Sequence, residues 1–272
     1  MPIPLLQVDA FTDKPFSGNP AAVCLLEQEC DTDWMQAVAA EMNLAETAFV
    51  RRMNDGYELR WFTPKTEVDL CGHATLASAH AMWGEGVVPP DQQIRFHTKS
   101  GLLTASRNGD FIELDFPATP PEECEPPSGL LDALNVEPTF VGKTKFDCFL
   151  VVESQEAIRS LQPDIPRLAK IPTRGTIVTS RSDDARFDFI SRFFAPAAGI
   201  DEDPVTESAH CCLAPFWGER LGKTEMNAYQ ASERGGEVQV RVAGDRIILG
   251  GQAVTVFKGE ISSSALPTLE SK

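Results

Sequence analysis

Three short runs carry the residue types that could move a proton. In Asn43-Leu44-Ala45-Glu46-Thr47-Ala48-Phe49, a carboxylate sits where a helical pattern stops and an apolar strand begins. Glu46 is there either as a solvated loop residue or as a partly desolvated carboxylate suited to acid–base work. Asp69-Leu70-Cys71-Gly72-His73 puts a thiol and an imidazole at the start of a small-residue helix. His73 is either a satisfied polar residue or a group that titrates near neutrality. Asp203-Pro204-Val205-Thr206-Glu207-Ser208 opens a second such helix. Asp203 before Pro204 reads as an N-cap followed by proline at the first helical position, or as a site carboxylate.

Each helix start offers backbone N–H groups that can hold an anion without a dedicated basic residue. If the two helix starts are related by a pseudo-twofold axis, they face each other across a cleft fitted to a small acid. The counterpart of the Glu46 stretch, Arg174-Gly175-Thr176-Ile177-Val178, has no acid, so one carboxylate has a role its repeat lacks. A racemase with two opposed thiols needs a cysteine at the start of both helices, and the partner of Cys71 is Val205. Cys211 and Cys212 lie further into the second helix and read as small core residues. His210-Cys211-Cys212 and Cys71-x-His73 lack the usual zinc-ligand spacings, so no metal site is expected. No glycine-rich dinucleotide or nucleoside-triphosphate motif occurs, and no cofactor is expected.

The elements that must position these residues come in two copies. Arg60-Trp61-Phe62-x-Pro64 leads through an Asp and a small-residue helix to Trp83, and Arg192-Phe193-Phe194-x-Pro196 leads the same way to Trp217. Gly109-Asp110 and Gly244-Asp245 then mark tight turns between alternating strands. These anchors recur at an offset of about 132–135 residues, too long for a solenoid and suited to duplicated lobes. Strands are predicted near 57–62 and 187–194, helices near 73–83 and 207–217, and hairpins near 102–116 and 237–249. A further helix near 32–43 opens at Asp31 to Asp33, whose carboxylates suit its dipole. Pro215 is expected to kink or shorten the second helix. The Pro- and Glu-rich segment 117–129 has no periodicity and reads as a linker, giving an N-terminal lobe at 1–116 and a C-terminal lobe at 130–272.

With 272 residues, 42% of them hydrophobic, the chain can bury a sizeable core. Its formal net charge of -16, from 40 acidic and 24 basic residues, argues against nucleic acid and anionic membrane surfaces as partners. The basic residues are scattered, Arg51-Arg52 being the longest pairing. No window approaches the roughly 18 apolar residues of a membrane span, and the first residues lack the features of a leader. Seven cysteines without a framework of spacings fit reduced thiols, so a soluble cytoplasmic protein is expected.

Taken in order, Asp9-Ala10-Phe11-Thr12, Phe16-Ser17-Gly18-Asn19-Pro20, Asn43-Leu44-Ala45-Glu46-Thr47-Ala48-Phe49, Asp69-Leu70-Cys71-Gly72-His73-Ala74-Thr75 and Asp203-Pro204-Val205-Thr206-Glu207-Ser208-Ala209-His210 resemble the phenazine-biosynthesis isomerase (PhzF-like) family from about residue 5 to 260. The resemblance implies an α+β protein of diaminopimelate-epimerase-like fold: two similar lobes from an internal duplication, each a β-barrel-like sheet around a central helix. It implies a cofactor-independent isomerase, a small anionic metabolite as partner, and a homodimer. Glu46 matches the catalytic glutamate that, in the phenazine enzyme, shuttles a proton between carbons of a dihydro-hydroxyanthranilate. His73 and Asp203 match residues that assist it. Gly72 and Ser208 match positions lining the substrate, and Asn19 and Thr206 are taken with them as substrate-binding. The family pattern has glycine where this chain has Glu207, which either narrows the pocket, adds charge near an anion, or supplies another carboxylate. The enzymatic alternative is an amino- or hydroxy-acid epimerase using Glu46 with Asp203 or Glu207. The non-enzymatic one is a metabolite-binding protein that has lost the reaction.

Overall fold

A computed structural model describes residues 2–266. Its strands far outnumber its helices, and it forms two compact units, one of residues 2–115 with 250–266 and the other Phe116–Leu249. In chain order the first unit contains β1 (Ile3–Ala10), β2 (Asn19–Leu26), α1 (Thr32–Met42), β3 (Glu46–Met53), β4 (Gly56–Phe62), β5 (Glu67–Val68), α2 (Gly72–Gly84), β6 (Ile94–Thr98) and β7 (Gly101–Asn108). The chain leaves it within β8 (Phe111–Pro117). The second unit contains β9 (Glu122–Glu123), α3 (Leu130–Leu134), β10 (Phe140–Lys143), β11 (Asp147–Val151), α4 (Gln155–Arg159), α5 (Ile165–Leu168), β12 (Gly175–Arg181), β13 (Phe189–Ala195), β14 (Ile200–Asp203), α6 (Glu207–Leu221), β15 (Glu225–Gln230) and β16 (Gly236–Ala243). The chain returns to the first unit within β17 (Arg246–Gly251), and β18 (Ala253–Ile261) follows.

Within the first unit, β2 runs parallel to β3, β3 and β4 form an antiparallel hairpin, β4 pairs antiparallel with the short β5 and parallel with β6, and β6 pairs antiparallel with β7. The second unit repeats this succession: β11 parallel to β12, β12 antiparallel to β13, β13 antiparallel to β14 and parallel to β15, β15 antiparallel to β16. A side-chain clamp also recurs. Arg60 on β4 grips Glu67 on β5 through two nitrogens, at 2.8 and 3.0 Å. Arg192 on β13 grips Glu202 on β14 the same way, at 2.6 and 2.8 Å. Each guanidinium also lies over a phenylalanine two residues on, Phe62 at 5.1 Å and Phe194 at 4.9 Å. Each clamp fixes the short strand that feeds a long helix, and so fixes where the helix starts.

Of these two helices, α2 is rich in small side chains because it is packed against several strands. In α2, every residue from Gly72 to Ala79 is buried, and the helix packs on β1, β2, β3 and β18. A helix without a polar face survives only inside a core. Its buried hydroxyls are satisfied locally, Thr75 donating to the Cys71 carbonyl at 2.5 Å and Ser78 to that of Ala74 at 2.6 Å.

Three expectations need correction. Helix α6 is not shortened at Pro215 but continues to Leu221, where Gly222 in the left-handed conformation ends it. Proline cannot offer an N–H to the Cys211 carbonyl four residues back, and the N–H of Thr119 takes that place at 3.0 Å. Segment 117–129 is not a free linker: Thr119 is bonded to α6, and β9 pairs with β10 inside the second unit. The C-terminal lobe does not run to the chain end, because β18 lies antiparallel to β1 along its length and joins the first unit. The last six residues assigned to that lobe, 267–272, lie outside the described residues.

Candidate active site

In the first unit, helix α1 begins at Asp31, whose carboxylate accepts from the N–H groups of Asp33 and Trp34, and ends at Asn43 in the left-handed conformation. That cap turns the chain so that Glu46 becomes the first residue of β3, paired in the parallel ladder with Ala21 of β2. Asn19 opens β2 just after Gly18, whose φ of +65° and lack of room for a Cβ, which would stand 2.1 Å from the Ala10 carbonyl oxygen, demand glycine. Preceding it, the Phe16 N–H is held at 2.7 Å by the buried carboxylate of Asp9. Cys71 is the cap of α2, Gly72 its first residue and His73 its second.

These elements converge on the His73 ring. Nε2 lies 3.0 Å from Oε2 of Glu46, with both side chains almost wholly excluded from water. Nδ1 lies 3.2 Å from the side-chain amide of Asn19, which is fully buried. The Cys71 sulfur stands 3.6 Å from Nδ1 and 3.9 Å from Nε2. Burial alone would pull the His73 pKa down, but the neighbouring Cys71 and Glu46, by charge and by hydrogen bonding, hold it well above the ordinary value. Oxygen, nitrogen and sulfur of Glu46, His73 and Cys71 fall within 4.8 Å of one another, a grouping among the described residues that could hold a cation. Spacing along the chain pointed away from a metal because it weighed Cys71 and His73 without Glu46.

In the second unit, Asp203 is the last residue of β14 and not a helix cap; Thr206 occupies that position and makes no side-chain cap bond. The Thr206 hydroxyl instead donates to the Asp203 carboxylate. Gln230, fully buried at the end of β15, accepts from the Thr206 N–H at 2.9 Å and donates to the Asp203 carbonyl at 2.8 Å and the Thr206 hydroxyl at 3.1 Å. Ser208 accepts from Arg174 at 2.9 Å, and Arg174 is itself anchored on the buried Asp147. Glu207 is the first residue of α6 and buried, an acidic side chain in the turn where the helix dipole favours it.

Thus Glu46, His73 and Asn19 are brought together with Gly72 beside them, while Asp203, Thr206 and Ser208 line the start of α6. Sequence reasoning weighed Cys71 with His73 but not the approach of Glu46 to both, and missed Gln230 and Asp147. Gln230 carries no local signal, since its partners lie on another element. Cys211 and Cys212 are core residues as expected, and burial pushes the Cys211 thiol up to about 12. Among the described residues no helix is long and apolar enough to cross a membrane.

In fold, the chain aligns with a crystal structure of a hydroxyproline epimerase from Agrobacterium vitis with bound trans-4-hydroxy-L-proline, with a TM-score of 0.60 at 11% identity over 96% of this chain and 91% of that one. The chain therefore shares the fold of that protein, a sheet-dominated α/β architecture, and carries within it a buried carboxylate–imidazole pair. Residues 8–259 match the family model described as phenazine biosynthesis-like protein, and the chain belongs to that family. A Halalkalibacterium halodurans protein named as an uncharacterized isomerase is 54% identical over 96% of this chain and 99% of its own. A crystal structure of a PhzF-family protein from Enterococcus faecalis superposes with a TM-score of 0.92 at 40% identity, over 96% of this chain and 100% of that one.

Proposed function

We propose that this isomerase-type enzyme moves a proton between carbons of a small carboxylated substrate, cyclic or amino-bearing, without a cofactor. The observation that carries the reading is the buried contact of Glu46 with His73 at 3.0 Å, in a chain of the PhzF-like family. Glu46 removes the proton as general base and returns it at the new carbon as general acid. His73 keeps the carboxylate in place and compensates its charge as the proton comes and goes. The backbone at Gly72 binds developing negative charge at the start of α2, and Asn19 orients the imidazole. Asp203, Thr206 and Ser208, carried over from the family motif, contribute to substrate binding and proton handling.

The same reading takes the two units as copies of one ancestral barrel-like lobe, supported by their repeated strand pairing and their paired Arg–Glu clamps. It takes the working protein as a cytoplasmic homodimer.

The test is nuclear magnetic resonance and mass spectrometry of dihydro-hydroxyanthranilate in deuterium oxide, with the wild type and Glu46→Gln. Migration of the double bond with a deuteron at the new carbon, by the wild type alone, is the expected result. Equal turnover by both proteins removes Glu46 from the mechanism. If the wild type leaves this compound unchanged but inverts one carbon of a cyclic amino or hydroxy acid, the enzyme is an epimerase.

A further inference from the structure

The cluster around His73 has a second chemical capacity. Its three side chains offer one donor each of sulfur, nitrogen and oxygen, all buried and within 4.8 Å of one another. A tetrahedral Zn²⁺, with bonds of about 2.0–2.3 Å, holds its ligand atoms about 3.2–3.8 Å apart. Here Nε2 of His73 lies 3.0 Å from Glu46 Oε2 and 3.9 Å from the Cys71 sulfur, so small side-chain adjustments bring the set to that spacing. All three side chains project from regular structure, Glu46 from the first residue of β3 and Cys71 and His73 from the start of α2. Such a site loses little side-chain freedom on binding.

The donor set selects the ion. Thiolate and imidazole favour zinc and its soft neighbours over magnesium and calcium, which need oxygen ligands in larger number. Three protein donors leave a fourth position for water or an anion. Zinc on Nε2 also requires a proton on Nδ1 and an acceptor for it. Asn19 presents its amide Nδ2 to Nδ1 at 3.2 Å, and turning that amide over brings Oδ1 to the ring as the acceptor the zinc-bound form requires. The other buried thiols are poor competitors, because burial raises Cys24, Cys30, Cys148, Cys211 and Cys212 above the usual range and a metal needs the thiolate.

We propose that Glu46, Cys71 and His73 form a site for one zinc-class divalent cation per chain, with the Cys71 thiol proton and the proton between His73 Nε2 and Glu46 both released to solvent on binding. The bound ion occupies both Glu46 and His73, so it inhibits catalysis by competing for the proton-transfer groups. That inhibition rests on the function proposed above; the binding does not.

The experiment uses chelator-treated, reduced full-length protein, titrated with Zn²⁺ against a fluorescent zinc indicator and with Co²⁺ by absorption. The expected result is one tight Zn²⁺ per chain, a thiolate-to-cobalt charge-transfer band, and cobalt d–d bands of tetrahedral intensity. Cys71→Ala and Cys71→Ser lose the band and the tight ion while keeping the wild-type circular dichroism, and Asn19→Ala weakens binding about 10- to 100-fold. If Zn²⁺ binds equally well to Cys71→Ala, or if the wild type takes up none at micromolar concentration, the site is overturned. Loss of turnover in Glu46→Gln without zinc binding by the wild type leaves the function standing and removes the site. Tight zinc binding with undiminished turnover leaves the site and removes Glu46 from the mechanism.

Discussion

Oε2 of Glu46 lies 3.0 Å from Nε2 of His73, although one residue opens a strand and the other sits in the first turn of a helix. With the Asn19 amide at Nδ1, both ring nitrogens are engaged, so the imidazole cannot turn without breaking two contacts. An immobile base close to its partner is what repeated transfer of a single proton requires.

Glu46→Gln keeps the shape of the side chain and removes its proton-accepting charge. Turnover is expected to fall by about 10²- to 10⁴-fold with thermal stability nearly unchanged, as checked by deuterium incorporation beside a melting curve.

His210 is fully buried on α6, with Nδ1–H donating to the Thr206 carbonyl at 2.7 Å. Burial lowers its pKa to about 4, the carbonyl opposing in part. The folded-state value lies below the unfolded one, so the unfolded chain binds the extra proton. Stability is therefore full above about pH 6.5 and drains away as the pH falls toward 4, by about 2 kcal/mol between pH 7 and 5. Urea unfolding across that range should show a shallower acid slope in His210→Asn; an unchanged slope assigns the loss to other groups.

Gln230 satisfies the Thr206 N–H, the Thr206 hydroxyl and the Asp203 carbonyl from a site with no solvent exposure. Gln230→Leu leaves those groups buried without it and should cost about 2–4 kcal/mol. Denaturant titration measures the loss, and binding of a substrate analogue should weaken with it as the Asp203–Thr206 turn loosens.

Gly18 precedes Asn19 at a φ of +65° with its would-be Cβ 2.1 Å from a backbone oxygen. Gly18→Ala should cost about 3 kcal/mol or more and displace Asn19 from His73. The backbone amide resonances of residues 11–19 are expected to shift, while those of the second unit stay in place.

Much of the arrangement could be read along the chain because its causes are local. Asp31 caps α1, glycine–aspartate pairs mark the hairpin turns, and the Arg-aromatic-Phe-x-Pro runs recur before each buried helix. The motifs holding Glu46, His73 and Asp203 were visible for the same reason: each is contiguous, and its chemistry follows from side-chain type. The recurrence of strand pairing in the two units was anticipated because two similar sequence patterns can be compared with each other.

Tertiary structure decided what depends on residues far apart. The pairing of β18 with β1 joins the two ends of the chain, and no local pattern announces such a partner. Helix α6 passes through Pro215 because a distant N–H, that of Thr119, reaches the carbonyl that proline leaves open. Asp203 looked like a cap until the fold gave that position to Thr206 and tied both residues to Gln230. Sequence determined which groups could carry a proton, since that is a property of each side chain. Only the fold decided that Glu46, His73 and Cys71 stand within reach of one another, because separation in space is set by packing and strand pairing across the whole unit.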